Sequence, residues 1–506
     1  MKGLLSTAAS RAWLGVAAAG VVIVALVLGL QLLPRLGDGQ DVVDAAKPVM
    51  TDAAVKGETG GANLLAQYVA VLDPLVTKKG DAAKEVRTLV TMLARKTGVS
   101  SERARAFLHR DAPHTEALLR ALPLSGIADE RDGLTQFLAV TLNTTPDAIQ
   151  DLLAQMFPHL FQTLSVLPSV TDGWYDIPGI EGMSLFSGKH VRAMPGFSRY
   201  LRDDLVGSVA AQKDRFQSLQ GSGGIGYVPI LLLIVGIVAI GFGLVHARWS
   251  KGHPSGRFAW GFVVALGVLL MIVVGALQFF PRLAGAEKLT SKLAPAFDAQ
   301  RVTGTRAGTD LVSQTVQAGD PIVTDGGGAS AEVPKLYAYI SEQTGLSVDQ
   351  VRGRLRKAAP RTAALLDAVP LSEAAGEIPQ LEADLSHKLG IGGDRLVLTL
   401  RRRTPGLAAV LFGLGAVTSG WDQIPGSEGL TRFDDGSPVR SMADFAAYLD
   451  DDFVPIFEDQ RQHFAKLANT WPPLDALPEV LLAIGLLLAI YATTMLFVVT
   501  KPPARA

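Results

Sequence analysis

Four stretches of this chain are apolar without interruption, and most of the rest places apolar residues at helical spacing. The apolar runs cover about 13–33, 227–245, 258–280 and 477–499, and 13–33, 230–245, 258–280 and 480–499 contain no charged residue. A helix rises ~1.5 Å per residue, so ~20 residues cross a ~30 Å hydrocarbon layer. A soluble core helix of that length would carry a polar stripe. The pattern therefore predicts four membrane-spanning helices. The first run follows Lys2 and Arg11, as a secretory signal does, but it is long for one and ends in a poor cleavage site, so it reads as an uncleaved anchor.

Charge orients the spans. Arg248, Lys251 and Arg257 stand between the second and third runs without an acidic residue, Lys2 and Arg11 precede the first, and Lys501 and Arg505 follow the last. Short basic segments stay in the cytoplasm. The expected order is then a cytoplasmic start (1–11), span (12–34), outer segment (35–225), span (226–246), cytoplasmic loop (247–257), span (258–280), outer segment (281–475), span (476–499) and cytoplasmic end (500–506).

The two halves resemble each other in register. Gln31, Pro34, Arg35 and Leu36 recur as Gln278, Pro281, Arg282 and Leu283, an offset of 247. At that offset Thr97-Gly98-Val99-Ser100 answers Thr344-Gly345-Leu346-Ser347, and Pro113, Leu118, Leu119 and Pro123 answer Pro360, Leu365, Leu366 and Pro370. After a one-residue shift, Phe197, Tyr200, Asp203 and Asp204 match Phe445, Tyr448, Asp451 and Asp452. Such periodic self-similarity reads as a tandem duplication. Each unit has two spans, so both insert with the same polarity, and a pseudo-twofold axis along the membrane normal is expected. The fold class expected is an all-α membrane protein with four transmembrane helices and two homologous, mainly helical extracytoplasmic domains.

Within the outer segments, Leu64, Leu65, Tyr68, Val69 and Leu72 keep helical spacing, as do Val86, Leu89, Val90 and Leu93. Gly98 and Gly345 suit left-handed helix ends, and Ser100 and Ser347 suit the next N-caps. A short helix is expected between Pro113 and Pro123, and a final helix over 197–219. Residues 221–224 read as a linker and 325–330 as a mobile loop.

Composition sharpens this picture. Of 506 residues, 48% are hydrophobic, which is high for a soluble protein of this length. The formal net charge of −1 gives no general attraction to nucleic acid. The absence of cysteine excludes disulfides, thiol catalysis and cysteine-ligated metals.

The sharpest local motif is Gly-Trp-x-x-Ile-Pro-Gly-x-Glu-Gly, at 173–182 and again at 420–429. Its glycines permit tight turns and its indole offers a large apolar face. Trp174, Glu181, Trp421 and Glu428 are thus the candidate binding residues. The competing reading is a clasp, with each tryptophan plugging its core and each glutamate capping a neighbour; it is favoured because large aromatics are more often packed than exposed. The acidic pairs Asp203-Asp204 and Asp451-Asp452 point apart on a helix and read as solvated faces rather than a cation site. Arg352, Arg354, Arg356, Lys357 and Arg361, and Arg401 to Arg403, are candidates for anionic headgroups, or else ordinary helix surface. His114 and His159 are not shared between halves. No phosphate loop, zinc motif or nucleophile elbow is present, and the spans lack the central ionisable residues of ion-coupled transporters. No catalytic, cofactor or metal site is assigned.

The resulting expectation is a non-enzymatic cell-envelope protein of the plasma membrane, in contact with membrane lipids and an envelope membrane-protein partner. Its paired outer domains would act as a docking or scaffold platform. A conduit or accessory subunit for lipid or envelope-precursor transport, and an extracytoplasmic enzyme with its site in one repeat, are the alternatives.

Overall fold

Helix is the rule wherever the computed structural model describes the chain: residues 8–29, 31–77, 79, 82–220, 228–249, 257–276, 279–468 and 476–499. No strand occurs among them; two isolated bridges, Ser184 with His190 and Thr431 with Pro438, are the only extended pairings. The linker 221–224 lies outside the described residues. The chain divides into two compact units. The first holds residues up to Thr51, Ala211–Asp298 and Ile456 onward; the second holds Asp52–Ala210 and Ala299–Pro455.

In the first unit three helices are long and apolar enough to cross a membrane: Ser10–Gly29, Pro229–Trp249 and Pro478–Val498. The third apolar run forms the helix Arg257–Ala276. Its described apolar stretch, Phe258–Ile272, is shorter than a crossing requires, and residues 277–278 lie outside the described ones. The helices pack as Ala8–Gly29 on Val228–Trp249, and Arg257–Ala276 on Ala476–Val499. Each pair crosses at glycine: a methyl added at Gly20 would lie 2.6 Å from the Gly236 carbonyl, and one at Gly267 would lie 2.7 Å from that of Gly485. Small residues let backbones touch where no hydrophobic force distinguishes helix from lipid. Gly236 also meets the Gly20 carbonyl and Gly15 meets the Tyr491 side chain, whereas Gly241 faces open space. Trp13 and Trp260 stack at 3.9 Å, both fully buried.

The second unit corrects one expectation. The two long segments between the apolar runs do not form two separate domains; Asp52–Ala210 and Ala299–Pro455 fold together. The long helix Asp52–Val76 packs on Pro405–Trp421, and Ala299–Val323 packs on Pro158–Gly173. The short helices Pro113–Ala121 and Pro360–Ala368 meet each other. One core cluster joins Leu134, Ile149 and Phe157 to Leu336, Tyr337 and Leu355. The reason is that each long helix finds cover for its apolar face in the opposite segment.

Helix starts fix this exchange. Five helices begin with proline, at Pro113, Pro146, Pro158, Pro360 and Pro405, where the missing N–H costs nothing. The next amides still need acceptors. Glu377 accepts from the amides of His114 and Thr115 at 3.0 and 2.8 Å, and Glu130 does the same for Arg361 and Thr362. Glu332 takes the amides of His159 and Leu160, and Glu85 takes that of Leu407 at 2.7 Å. Every one of these carboxylates comes from the opposite segment, and negative charge at a helix N-terminus is favourable.

Local expectations fare unevenly. Gly98 and Gly345 are left-handed at φ 69° and 68°, and Ser100 and Ser347 cap the following helices. The stretch at 325–330 is corrected from a mobile loop to a tight turn. Asp325–Gly327 makes one short helical turn, and Ala329–Thr344 follows at once. Gly327 lies so close to the Asp320 carbonyl that a methyl there would sit 2.1 Å from it. The final helices are interrupted by π-helical turns at Tyr200–Val206 and Leu449–Phe453.

Candidate functional site

The twin loops come first. Ile177 N–H donates to the Arg192 carbonyl and Val191 N–H to that of Met183; Ile424 to Arg440 and Val439 to Leu430 repeat this. Gly179, Gly182, Gly426 and Gly429 turn the chain at φ 83–96°. Trp174 and Trp421 are fully buried, and their indole N–H groups donate to Asp73 at 3.0 Å and Asp320 at 2.9 Å. Neither indole offers a face to a ligand. Burying each contributes about 3 kcal/mol. Glu181 and Glu428 stay exposed. Glu428 pairs with Lys56 at 3.1 Å, which holds its carboxyl below the ordinary range. The structure thus separates each tryptophan from its glutamate and converges none of the four on a common site.

The acidic pairs divide their labour. Asp204 and Asp452 accept the amides of Phe186 and Phe433, tying the loops to the final helices. Asp203 and Asp451 face outward and pair with Arg202 and Arg432. Of the basic candidates, Arg401, Arg402 and Arg403 lie on an exposed face, Arg356 pairs with Asp367 at 3.0 Å, and Arg352 covers the Tyr337 ring at 4.9 Å. Two histidines are also held in place: His114 by Glu373 and His159 by Glu332, each at 2.6 Å.

Arg361 leads to a feature that the sequence reading missed. Its side chain crosses the backbone of Gly126, where any Cβ would collide with it at 2.6 Å. Its Nε donates to the Leu122 carbonyl, and Glu130 lies 3.7 Å from Nη1. There it closes a cleft of about 370 Å³, within the size range of small-molecule pockets. Arg87, Arg105 and Arg120 complete its basic rim, and Val86, Val90, Leu108, Leu119, Leu122 and Pro123 supply apolar surface. Arg120 is steadied by Glu116, 2.9 Å from its Nε. No carboxylate among the described residues pairs with Arg87 or Arg105. In sequence these arginines are scattered over 275 positions, and only Arg361 fell within the basic clusters noted there.

The counterpart place in the other half is different. Pro334, Ala363, Asp367 and His114 stand where Arg87, Glu116, Arg120 and Arg361 stand. Tyr337 replaces Val90, and its ring is 1% exposed. A phenol thus occupies space where the cleft has a small aliphatic group.

Two further polar clusters lie apart. Glu58 is fully buried, and Tyr448 Oη donates to it at 2.6 Å. Its other oxygen has no partner among the described residues. Burial raises its pKa to about 8, and the Tyr448 bond only partly offsets this. The counterpart of Glu58 is Thr305, which meets Tyr200 at 3.3 Å. In the first unit Asp38, Asp41 and His463 converge, with His463 Nδ1 2.6 Å from Asp38 and Lys466 3.6 Å from its other oxygen. The lysine makes this an ion-pair cluster.

No family model, curated protein or solved structure is detectably similar to this chain.

Proposed function

We propose that this protein is a membrane-anchored docking platform of the cell envelope, without enzymatic activity of its own. Four spans hold it in the plasma membrane with both ends in the cytoplasm, and the second compact unit lies outside, where it receives an envelope protein or lipid. The chain arose by tandem duplication of a two-span unit. Support for the duplication is the recurrence of whole contacts at the same spacing, among them the paired tryptophan bonds to Asp73 and Asp320 and the crossed carboxylate caps.

The observation that carries the platform reading is the exchange of long helices between the outer segments. It makes one body with a shared core, and a body that cannot separate into halves suits a fixed docking surface. The cleft lining brings together four arginines and one carboxylate, Glu116, which is engaged with Arg120, and it holds no serine, histidine or other hydroxyl nucleophile. A conduit through this unit is less well supported, because the apolar cavity lined by Tyr68, Leu118, Thr315 and Leu365 measures about 50 Å³. That is room for a few waters, not for an acyl chain.

The absence of cysteine makes the test direct. Single cysteines at exposed Val140 and Leu398, and at Ser250 between the second and third runs, are labelled in intact cells with an impermeant maleimide. Val140→Cys and Leu398→Cys should react, and Ser250→Cys only after lysis. The opposite pattern would overturn the topology. Photo-crosslinking from the Leu398 position should then yield one recurrent envelope partner or lipid, and a chain that crosslinks to nothing would remove the platform role.

A further inference from the structure

The geometry points to the one-sided basic cleft as a binding site for a phosphorylated amphiphile, with the phosphate among the guanidinium groups and an apolar moiety against the aliphatic floor. This deepens the platform reading by giving its docking surface a ligand chemistry.

Three features argue for it. First, the rim is preorganised in part: Glu116 holds Arg120 and Glu130 with the Leu122 carbonyl holds Arg361, so these side chains are positioned before a ligand arrives. Second, Arg87 and Arg105 have no carboxylate partner among the described residues, so their donors face the cleft unspent there. A guanidinium presents five N–H donors in a planar fork that fits phosphate oxygens in pairs. A phosphate monoester carries nearly two negative charges and three acceptor oxygens, and it therefore answers two unpaired arginines better than one carboxylate does. Third, Val86, Val90, Leu108 and Leu119 line the same cavity. A free anion would leave that surface in water, whereas an attached apolar group would cover it.

The counterpart place reinforces the assignment. There Tyr337 fills the position of Val90, Asp367 reverses the charge of Arg120, and Pro334 replaces Arg87. The surviving arginine, Arg352, is spent on the tyrosine ring. A general need for surface charge would not confine the open, basic version to one half.

The test uses the full chain in a neutral detergent, titrated calorimetrically with hexyl phosphate, inorganic phosphate, hexanoate and hexanol. Hexyl phosphate should bind once per chain, at least tenfold more tightly than inorganic phosphate or hexanoate, and hexanol should give no saturable heat. Arg87→Gln combined with Arg105→Gln should weaken hexyl phosphate at least tenfold without lowering Tm, since both side chains are exposed. Arg352→Gln should leave it unchanged. Inorganic phosphate binding as tightly as hexyl phosphate would overturn the role of the apolar floor. Equal binding of hexanoate would overturn phosphate recognition. Absence of binding, or equal loss in Arg352→Gln, would overturn the site. These outcomes concern the purified chain alone, so they are separate from failure of the platform reading, which the topology and crosslinking experiments decide.

Discussion

Val90 and Tyr337 stand 247 residues apart at matching places in the two halves, one under an open basic cleft and the other a buried ring beneath an arginine. Glu58 and Thr305 form a second such contrast, each facing a tyrosine of the final helices. Around both contrasts the scaffold agrees closely. Glu85 and Glu332, Glu130 and Glu377, Trp174 and Trp421, and Gly61 and Gly308 repeat their contacts. The difference teaches where this architecture leaves freedom. Positions that cap a helix or sit under an aromatic ring are tied to a partner across the core. The cleft-lining positions differ in charge and size between the halves, and so does the buried Glu58 from its counterpart Thr305.

The largest expected effect breaks the symmetry at Glu58. Its pKa in the folded protein, about 8, exceeds its ordinary value of 4.5. Between those limits the unfolded chain has released the proton and the folded chain has kept it, so stability falls as pH rises across that window and levels off above it. The loss is on the order of a few kcal/mol, discounted for local relaxation. Glu58→Gln should flatten this component of a Tm-against-pH profile, and a variant with an unchanged slope would contradict the buried, protonated assignment. Thr305→Val should leave the profile as it is.

Next come the crossed caps. Glu332→Ala strands two amides at the start of a helix and should cost about 2–4 kcal/mol, with Glu85→Ala costing about half as much because it serves one amide. Denaturant midpoints of the two variants measure this, and equal losses would erase the distinction. A smaller effect belongs to the glycines under the rings. A methyl at Gly308 would lie 2.2 Å from the Phe197 ring, and one at Gly61 2.4 Å from Phe445. Gly308→Ala and Gly61→Ala should each cost about 1–3 kcal/mol through overpacking, and a thermal melt of either that matches the unaltered chain would show that the rings yield. The smallest effect is at the loop tip. Lys56→Ala removes an exposed ion pair with Glu428 and should leave the melting temperature unchanged within error.

Much of the local structure was legible along the chain because it depends on neighbours. Proline at helix starts, left-handed glycine at Gly98 and Gly345, and serine caps at Ser100 and Ser347 act within four residues of where they stand. The three long apolar helices were legible because a hydrocarbon layer constrains length and composition directly. The turn at 325–330 was misread because its glycines signal freedom, and only the nearby Asp320 carbonyl shows that they are there for close approach. Packing of Trp174 and Trp421 into the core is the favoured reading of their motif, but their partners Asp73 and Asp320 lie 101 residues away, beyond any local pattern. Glu58 gave no signal, since an acidic residue near a helix start usually faces water.

By itself the sequence determined the helical class, the apolar helices, the caps and the matched register of the two halves. These follow from backbone hydrogen bonding and from the periodicity of apolar residues, which are written in consecutive positions. Tertiary structure alone decided that the segments exchange long helices, that the buried tryptophans bond Asp73 and Asp320, and that arginines from both segments rim one cleft. Those outcomes turn on which face covers which, and a linear pattern records only that a face is apolar, not what will lie against it.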